Sequence, residues 1–162
     1  MNEPQPLPLW IIPLFPLFFV GLWLFVVSLL AVTGGWRGLA ARFPAPPDPP
    51  RWVADRFASV SADLINGASR APVRYNRCVA MYLTDDGVYL RTWLIFRFMH
   101  PPLLIPWDAI EGCEEKRFFL SRAIIVHLRG TGTRIRLYGA PGLAVEEGWR
   151  RRGAGTAGTG PA

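Results

Sequence analysis

Cys78-Val79-Ala80-Met81-Tyr82-Leu83-Thr84-Asp85-Asp86-Gly87-Val88-Tyr89-Leu90-Arg91-Thr92-Trp93 is the stretch on which the fold turns. Two runs rich in aromatic and β-branched residues flank Thr84-Asp85-Asp86-Gly87, and Asp-Gly accommodates the positive backbone angles of a tight hairpin turn. The pattern predicts an antiparallel pair, one strand at residues 78–83 and the next beginning at Val88. From there Val88, Leu90, Thr92, Leu94, Phe96 and Phe98 share one parity, and Tyr89, Arg91, Trp93 and Arg97 share the other. A strand over residues 88–99 is about twice the usual length, so a bulge or bend is expected near Trp93 or Leu94.

Strand periodicity continues toward the C-terminus. Pro101-Pro102 interrupts the ladder, a short strand is expected at residues 103–105, and residues 107–111 read as one helical turn or tight loop. Three more strands follow at residues 113–120, 123–129 and 133–138, joined by Ser121-Arg122 and Gly130-Thr131-Gly132. Connections this short impose antiparallel neighbours. In the last strand Ile135 and Leu137 alternate with Arg134, Arg136 and Tyr138, giving one dry and one wet face. Six or seven short strands predict a mainly antiparallel β domain curled into a sheet or small barrel, because a flat sheet leaves an apolar face and two edges exposed. Upstream, Val53, Phe57, Val60 and Leu64 recur at helical spacing, so a helix is expected over residues 50–65, stopped by Asn66-Gly67 and packed on the sheet. A short helix at residues 143–152 precedes a Gly/Ala/Thr-rich tail, 153–162, with the composition of disorder.

The N-terminal part is of another kind. Residues 1–36 carry Glu3 and no Lys or Arg, and residues 10–32 form an uncharged run of large apolar and aromatic side chains. As a helix those 23 residues reach about 34 Å, close to the roughly 30 Å hydrocarbon core of a bilayer. The run is too long for a signal peptide and lacks a positive region ahead of it, so it reads as a retained transmembrane helix. Pro13 and Pro16 lie in its first turns and permit either a later start or a kink. Trp10 and Trp36 bracket it and suit headgroup zones. Arg37, Arg42 and Arg51 follow the run with no basic residue before it, which orients the C-terminal domain to the cytoplasm and residues 1–9 to the outside. Residues 33–51 form a proline-rich linker in which Phe43 to Pro50 favours an extended spacer, or a ligand for a PxxP-reading partner. The domain then occupies residues 52–152.

The segments Leu83-Thr84-Asp85-Asp86-Gly87-Val88-Tyr89 and Pro101-Pro102-Leu103-Leu104-Ile105-Pro106-Trp107-Asp108-Ala109-Ile110 resemble small bacterial membrane proteins whose soluble part is similar to pleckstrin-homology and GRAM-like domains. In those domains a turn-glycine-apolar-aromatic hairpin precedes an Ile-Pro-Trp segment leading to Asp or Ser and then Ile. The likeness covers about 60 residues at structural positions. It implies a pleckstrin-like curled sheet with a C-terminal helix, in a single-pass protein of the bacterial inner (plasma) membrane. It implies no catalytic or ligand residue, and the Lys-rich first loop of the eukaryotic lipid binders is absent.

The charged and reactive residues offer no catalytic constellation. His100 and His127 have no metal-ligand partner at short spacing, Ser121 has no nucleophile-elbow context, and Asp85-Asp86-Gly87 lacks the further acidic positions of a calcium loop. Asp108, Glu111, Glu114 and Glu115 read as a solvated turn, and no metal or cofactor is called for. Cys78 and Cys113 are too few for a disulfide framework and read as free thiols. Net charge is +6 overall, and beyond residue 36 basic residues outnumber acidic ones by 18 to 11, a balance of +7. Nucleic acid is not the expected partner, because no recognition helix, zinc finger or RNP-like aromatic signature accompanies the charge. The bilayer is. Three functional readings follow. The first is a non-enzymatic, membrane-anchored scaffold that docks a protein partner or a second copy through Tyr89, Trp93 and Phe118. The second is anionic-lipid sensing through Arg134, Arg136, Arg150, Arg151 and Arg152. A small membrane-bound enzyme is the third.

Overall fold

The computed structural model describes residues 11–67, 72–118 and 121–156. An apolar helix α1, Ile11–Thr33, leads into a short helix α2, Trp36–Arg42. Seven antiparallel strands follow: β1 Asp55–Ile65, β2 Val73–Leu83, β3 Gly87–Thr92, β4 Leu103–Pro106, β5 Ile110–Phe118, β6 Ser121–Leu128 and β7 Arg134–Tyr138. A helix α3, Ala140–Thr156, ends the described chain. The strands lie in the order β4-β3-β2-β1-β7-β6-β5, so β1 joins two meanders into one curled half-barrel.

The 78–93 hairpin forms as its sequence dictates, with Leu83 opposite Val88 and Val79 opposite Thr92. Its second strand stops at Thr92, and residues Leu94–Met99 turn into a 3-10 segment, the break expected near Trp93. Alternate residues Val79, Met81, Leu83, Val88 and Leu90 point into the core with Leu103, Ile105, Ile124, Val126, Ile135 and Leu137. Side chains fill this interior, leaving a void of about 10 Å³, too small for a water molecule. α3 closes one opening with Val145 buried in the same core, and the Trp149 indole donates to the Ile110 carbonyl at 3.1 Å. It runs beyond the expected 143–152 at both ends and takes in residues 153–156 of the expected tail.

The helix expected over residues 50–65 is instead strand β1. The step of three in its 4-3-4 apolar spacing arises from a β-bulge: the β1–β2 register slips between Phe57 and Val60, and it slips again between Val60 and Ala62. An inserted residue reverses parity, so Phe57 and Val60, three apart, both meet the core. Val60, Ala62 and Leu64 then follow period two and are buried. β5 begins at Ile110, before the expected Cys113, and Ser121-Arg122 belongs to β6 while the hairpin tip at residues 119–120 lies outside the described residues.

α1 is continuous through Pro16 and is long and apolar enough to cross a membrane. Residues 1–10, including Trp10, lie outside the described residues. Phe15, Leu17, Phe18 and Phe25 are 64–70% exposed, whereas Val27 and Ala31 are buried against the domain. The reversal is made at Gly34-Gly35. A Cβ at Gly34 would stand 2.7 Å from the Leu30 carbonyl and about 3 Å from Val73 and the Tyr75 hydroxyl, and Gly35 has φ +76°. Both positions therefore require glycine. Trp36, expected at the headgroups, is fully buried; its apolar neighbours are Tyr75 and His100, and its indole donates to the Pro101 carbonyl at 2.8 Å. The proline-rich run is extended but does not stand free of the sheet. The Leu104 amide donates to the Phe43 carbonyl, and the Tyr89 hydroxyl donates to the carbonyls of Pro46 and Pro47.

Asp63 on β1 is fully buried and ties the two meanders together. Arg74 from β2 donates to both carboxylate oxygens, at 2.9 and 3.2 Å, while Tyr138 and Arg136 from β7 donate to Oδ2 at 2.6 and 3.3 Å. Burial raises the carboxyl pKa, but the Arg74 and Tyr138 hydrogen bonds and the charges of Arg74 and Arg136 more than reverse it, holding the group below its usual 3.8. The stabilisation is thus present at neutral pH and lost as pH falls through that lowered value. Asp63→Ala leaves the arginines without their shared carboxylate and is expected to cost about 3–5 kcal/mol, measured by chemical denaturation of the reconstituted chain.

Candidate functional site

The outer faces of β1, β2 and β3 carry a cavity of about 520 Å³ at the end of the sheet nearest α1. Its position follows from the hairpin register. Arg56 on β1 lies opposite Tyr82 on β2, and Tyr82 lies opposite Tyr89 on β3. The small side chains of Ala58 and Ala80 leave the space, and Arg56, Arg91 and Arg97 line it. Two of these guanidinium groups lie by the same ring, Arg56 at 5.4 Å and Arg91 at 5.7 Å from the Tyr82 centroid. Such contacts hold cations in place without neutralising them.

Among the described residues, none of Arg56, Arg91 and Arg97 forms an ion pair, although Asp48 also borders the cavity. Thr92 lies opposite core-facing Val79 and shares the parity of Val88 and Leu90, so its side chain points into the interior and not into the cavity. Its hydroxyl is buried and finds no hydrogen-bond partner among the described residues, a deficit worth about 1–3 kcal/mol. Three cations free of ion pairs around one cavity make a site for an anion, and Arg geometry suits phosphate or carboxylate oxygens in particular.

Trp93 forms the edge of this cavity. Its indole donates to the Ala58 carbonyl at 3.2 Å, and its other side borders a second, largely apolar groove of about 450 Å³ between the sheet and α1. Beyond it the 3-10 segment presents Leu94, Ile95 and Phe98, each 62–77% exposed. This apolar segment lies directly against α1: Phe96 meets the Trp23 ring at 5.5 Å, and Ile95 borders a hollow with Phe19, Val20 and Trp23.

The residues singled out from sequence are scattered. Tyr89 is fully buried and so is no exposed anchor: its alternation partner on the outer face is Tyr82, and the proline-rich run covers both. Trp93 is half-exposed, and the Phe118 side chain lies outside the described residues. Arg134 is exposed at the start of β7. Arg136 turns to Asp63. On α3, Arg150 and Arg151 pair with Glu146 and Glu147 one turn earlier, at 2.6 and 2.7 Å, while Arg152 stacks over Trp107 at 4.6 Å and donates to the Asp85 carbonyl at 3.0 Å. The Arg150-Arg151-Arg152 run is therefore engaged within the domain, because helical spacing brings the glutamates to it. Arg56, Arg91 and Arg97 were missed as a group: the outward parity of Arg91 and Arg97 is readable, but Arg56 joins them only once residues 55–65 are a strand.

Cys78 and Cys113 are free thiols. Burial raises both pKa values, Cys113 to about 12, so neither is a nucleophile at neutral pH. Among the described residues no three His, Cys, Asp or Glu side chains come together as a metal site. No protein-family model matches the chain, and no curated protein matches it in sequence.

His100 sits at the floor of the apolar groove, buried, with Nδ1 3.0 Å from the Phe96 carbonyl and Nε2 3.1 Å from the Tyr75 hydroxyl. The carbonyl can only accept, which assigns the proton to Nδ1 and leaves Nε2 to accept from Tyr75. Burial lowers the His100 pKa below 6.5, and the Phe96 bond opposes this. The unfolded chain then takes up the proton first, so stability declines as pH falls below 6.5 and levels off beneath the folded-state value. His100→Gln is expected to flatten this part of the melting-temperature profile relative to the unsubstituted chain, measured by thermal denaturation between roughly pH 7 and 5.

Proposed function

We propose that this chain is a single-pass membrane protein whose cytoplasmic, pleckstrin-like domain recognises the phosphate of anionic lipid headgroups in the Arg56, Arg91 and Arg97 cavity, without catalysing a reaction. The observation that carries the reading is the cluster of three arginines free of ion pairs among the described residues, next to an exposed apolar segment that lies against α1. Cationic side chains beside exposed Leu94, Ile95 and Phe98 match the two layers of a bilayer surface, headgroups and then hydrocarbon. Further support comes from α1, long and apolar enough to span, and from the one-sided placement of Arg37, Arg42 and Arg51. The pleckstrin likeness gains a C-terminal helix in α3, the element that fold requires.

Protein docking is the second reading. Trp93 at 49% exposure, together with Leu94 and Phe98, favours it, since exposed aromatic and aliphatic clusters mark interfaces as well as membranes. In a bilayer the same side chains face lipid.

Both parts are testable on the full chain, since a fragment cut at residue 37 loses the buried Trp36. With each arginine near the surface worth about 1 kcal/mol, changing Arg56, Arg91 and Arg97 together to alanine is expected to weaken the preference for phosphatidylglycerol over phosphatidylcholine by up to about 100-fold. Changing Arg150 and Arg151, which are paired on α3, is expected to alter it little. Lipid retention measured by native mass spectrometry from mixed nanodiscs reads both, and equal effects of the two sets would remove the cavity from the mechanism. For orientation, a reporter active only outside the cytoplasm and fused after Ala162 is expected to stay inactive, while a cytoplasmic reporter at the same place is active.

A further inference from the structure

The second groove lies on the other side of Trp93 from the arginine cavity. Val27 and Leu30 of α1 form one wall, and Tyr75, Cys78, Trp93, Phe96 and His100 form the other, with Arg77 at the rim. Its polar atoms are satisfied internally, His100 by Phe96 and Tyr75 and the Trp93 indole by Ala58. Arg74, which donates to Asp63, and Asn76, which accepts from Ser61, also line it, and the surface left to an occupant is mainly hydrocarbon.

Along α1 the groove is continued by the hollow at Phe19, Val20 and Trp23, and Ile95 borders both. From Phe19 to Leu30 the helix rises about 16 Å, half of a roughly 30 Å hydrocarbon core and thus one leaflet. Trp23 is ten residues before the end of α1, so the exposed 3-10 segment beside it reaches about 15 Å back along the spanning helix. The groove and the hollow thus run beside a length of α1 about equal to one leaflet.

Arg77 adds a cation to this lining. It is the only described non-glycine residue with positive φ, +53°, on a β2 bulge held by Ser59 and Ser61. The bulge turns β2 at the groove's rim, and Arg77 forms no ion pair among the described residues.

We propose that this groove holds one acyl chain of a bilayer phospholipid between α1 and the 3-10 segment, with the phosphate beside Arg77. The assignment rests on the membrane-spanning reading of α1 but not on headgroup recognition by the arginine cavity. It accounts for a largely apolar groove with a satisfied floor, open along a lipid-facing helix for the depth of one leaflet, with the cation Arg77 in its lining.

The test uses the full chain in nanodiscs containing phosphatidylglycerol with a diazirine at the end of one acyl chain, followed by peptide mapping of the crosslinks. Enriched labelling is expected on Tyr75, Cys78 and Phe96, above that on the exposed α1 residues Phe15 and Phe18. Leu30→Trp, at a part-exposed position on the helix wall, and Cys78→Trp, on the sheet wall, are each expected to cut the groove labels several-fold and leave those on Phe15 and Phe18 unchanged. Thermal melting of each variant checks folding, and the result from whichever remains folded decides. Groove labelling no higher than on Phe15, or unaffected by the filling substitution, overturns the proposal while leaving α1 in the membrane. Absence of label on Phe15 and Phe18 together with alkaline extraction of the chain overturns the membrane reading and this proposal with it.

Discussion

Burial of Trp36 between Tyr75, His100 and the Pro101 carbonyl sets the angle at which the apolar helix meets the sheet. A chain passing from a long apolar helix into a β domain commonly does so through a flexible tether. Here Gly34 and Gly35 permit an abrupt reversal, and the indole that follows is inserted into the domain core. A buried tryptophan contributes a few kcal/mol of packing, enough to hold a corner made of two otherwise permissive glycines. With the corner held, Val27 and Ala31 are pressed onto the domain, and α1 has no freedom to swing.

Everything of functional interest depends on that angle. Because α1 returns along the sheet, the 3-10 segment at Leu94–Met99 lies against Phe19, Val20 and Trp23. Trp93 then separates two different chemistries, a cluster of arginines on one side and a largely apolar groove on the other. Neither site lies within the half-barrel, whose interior is filled. The fold thus acts as a rigid frame that presents its outer edge beside α1. Asp63 complements this arrangement from within the sheet, since its carboxylate holds Arg136 and Tyr138 inward and pairs the exposed Arg74, so that two of the basic residues are already engaged.

Local pattern accounts for much of the architecture. The apolar run of α1 is legible because 23 uncharged residues leave no other assignment, and the 78–93 hairpin because Asp-Gly sets its turn and period two sets its faces. The break after Thr92, the turn after Pro106 and the alternation of β7 follow from proline placement and parity in the same way. β1 is the failure. One bulge, between Phe57 and Val60, sets a step of three into an otherwise even spacing and so produces the 4-3-4 pattern of a helix, and bulges are chosen by the partner strand rather than by the segment itself.

The sequence by itself determined an apolar N-terminal helix, a mainly antiparallel curled sheet and a basic balance beyond residue 36, because composition and short-range periodicity are enough to specify these. It did not determine which arginines are available. Arg150 and Arg151 look like an exposed cationic run in a linear reading, yet helical spacing sets Glu146 and Glu147 beside them; Arg56 and Arg91, dispersed along the chain, converge on Tyr82 only through strand register, and the 3-10 segment brings Arg97 to the same cavity. Charge acts through space and is cancelled by whatever lies within a few ångströms, so the tertiary structure alone decided where the free cations and the apolar groove beside them would be.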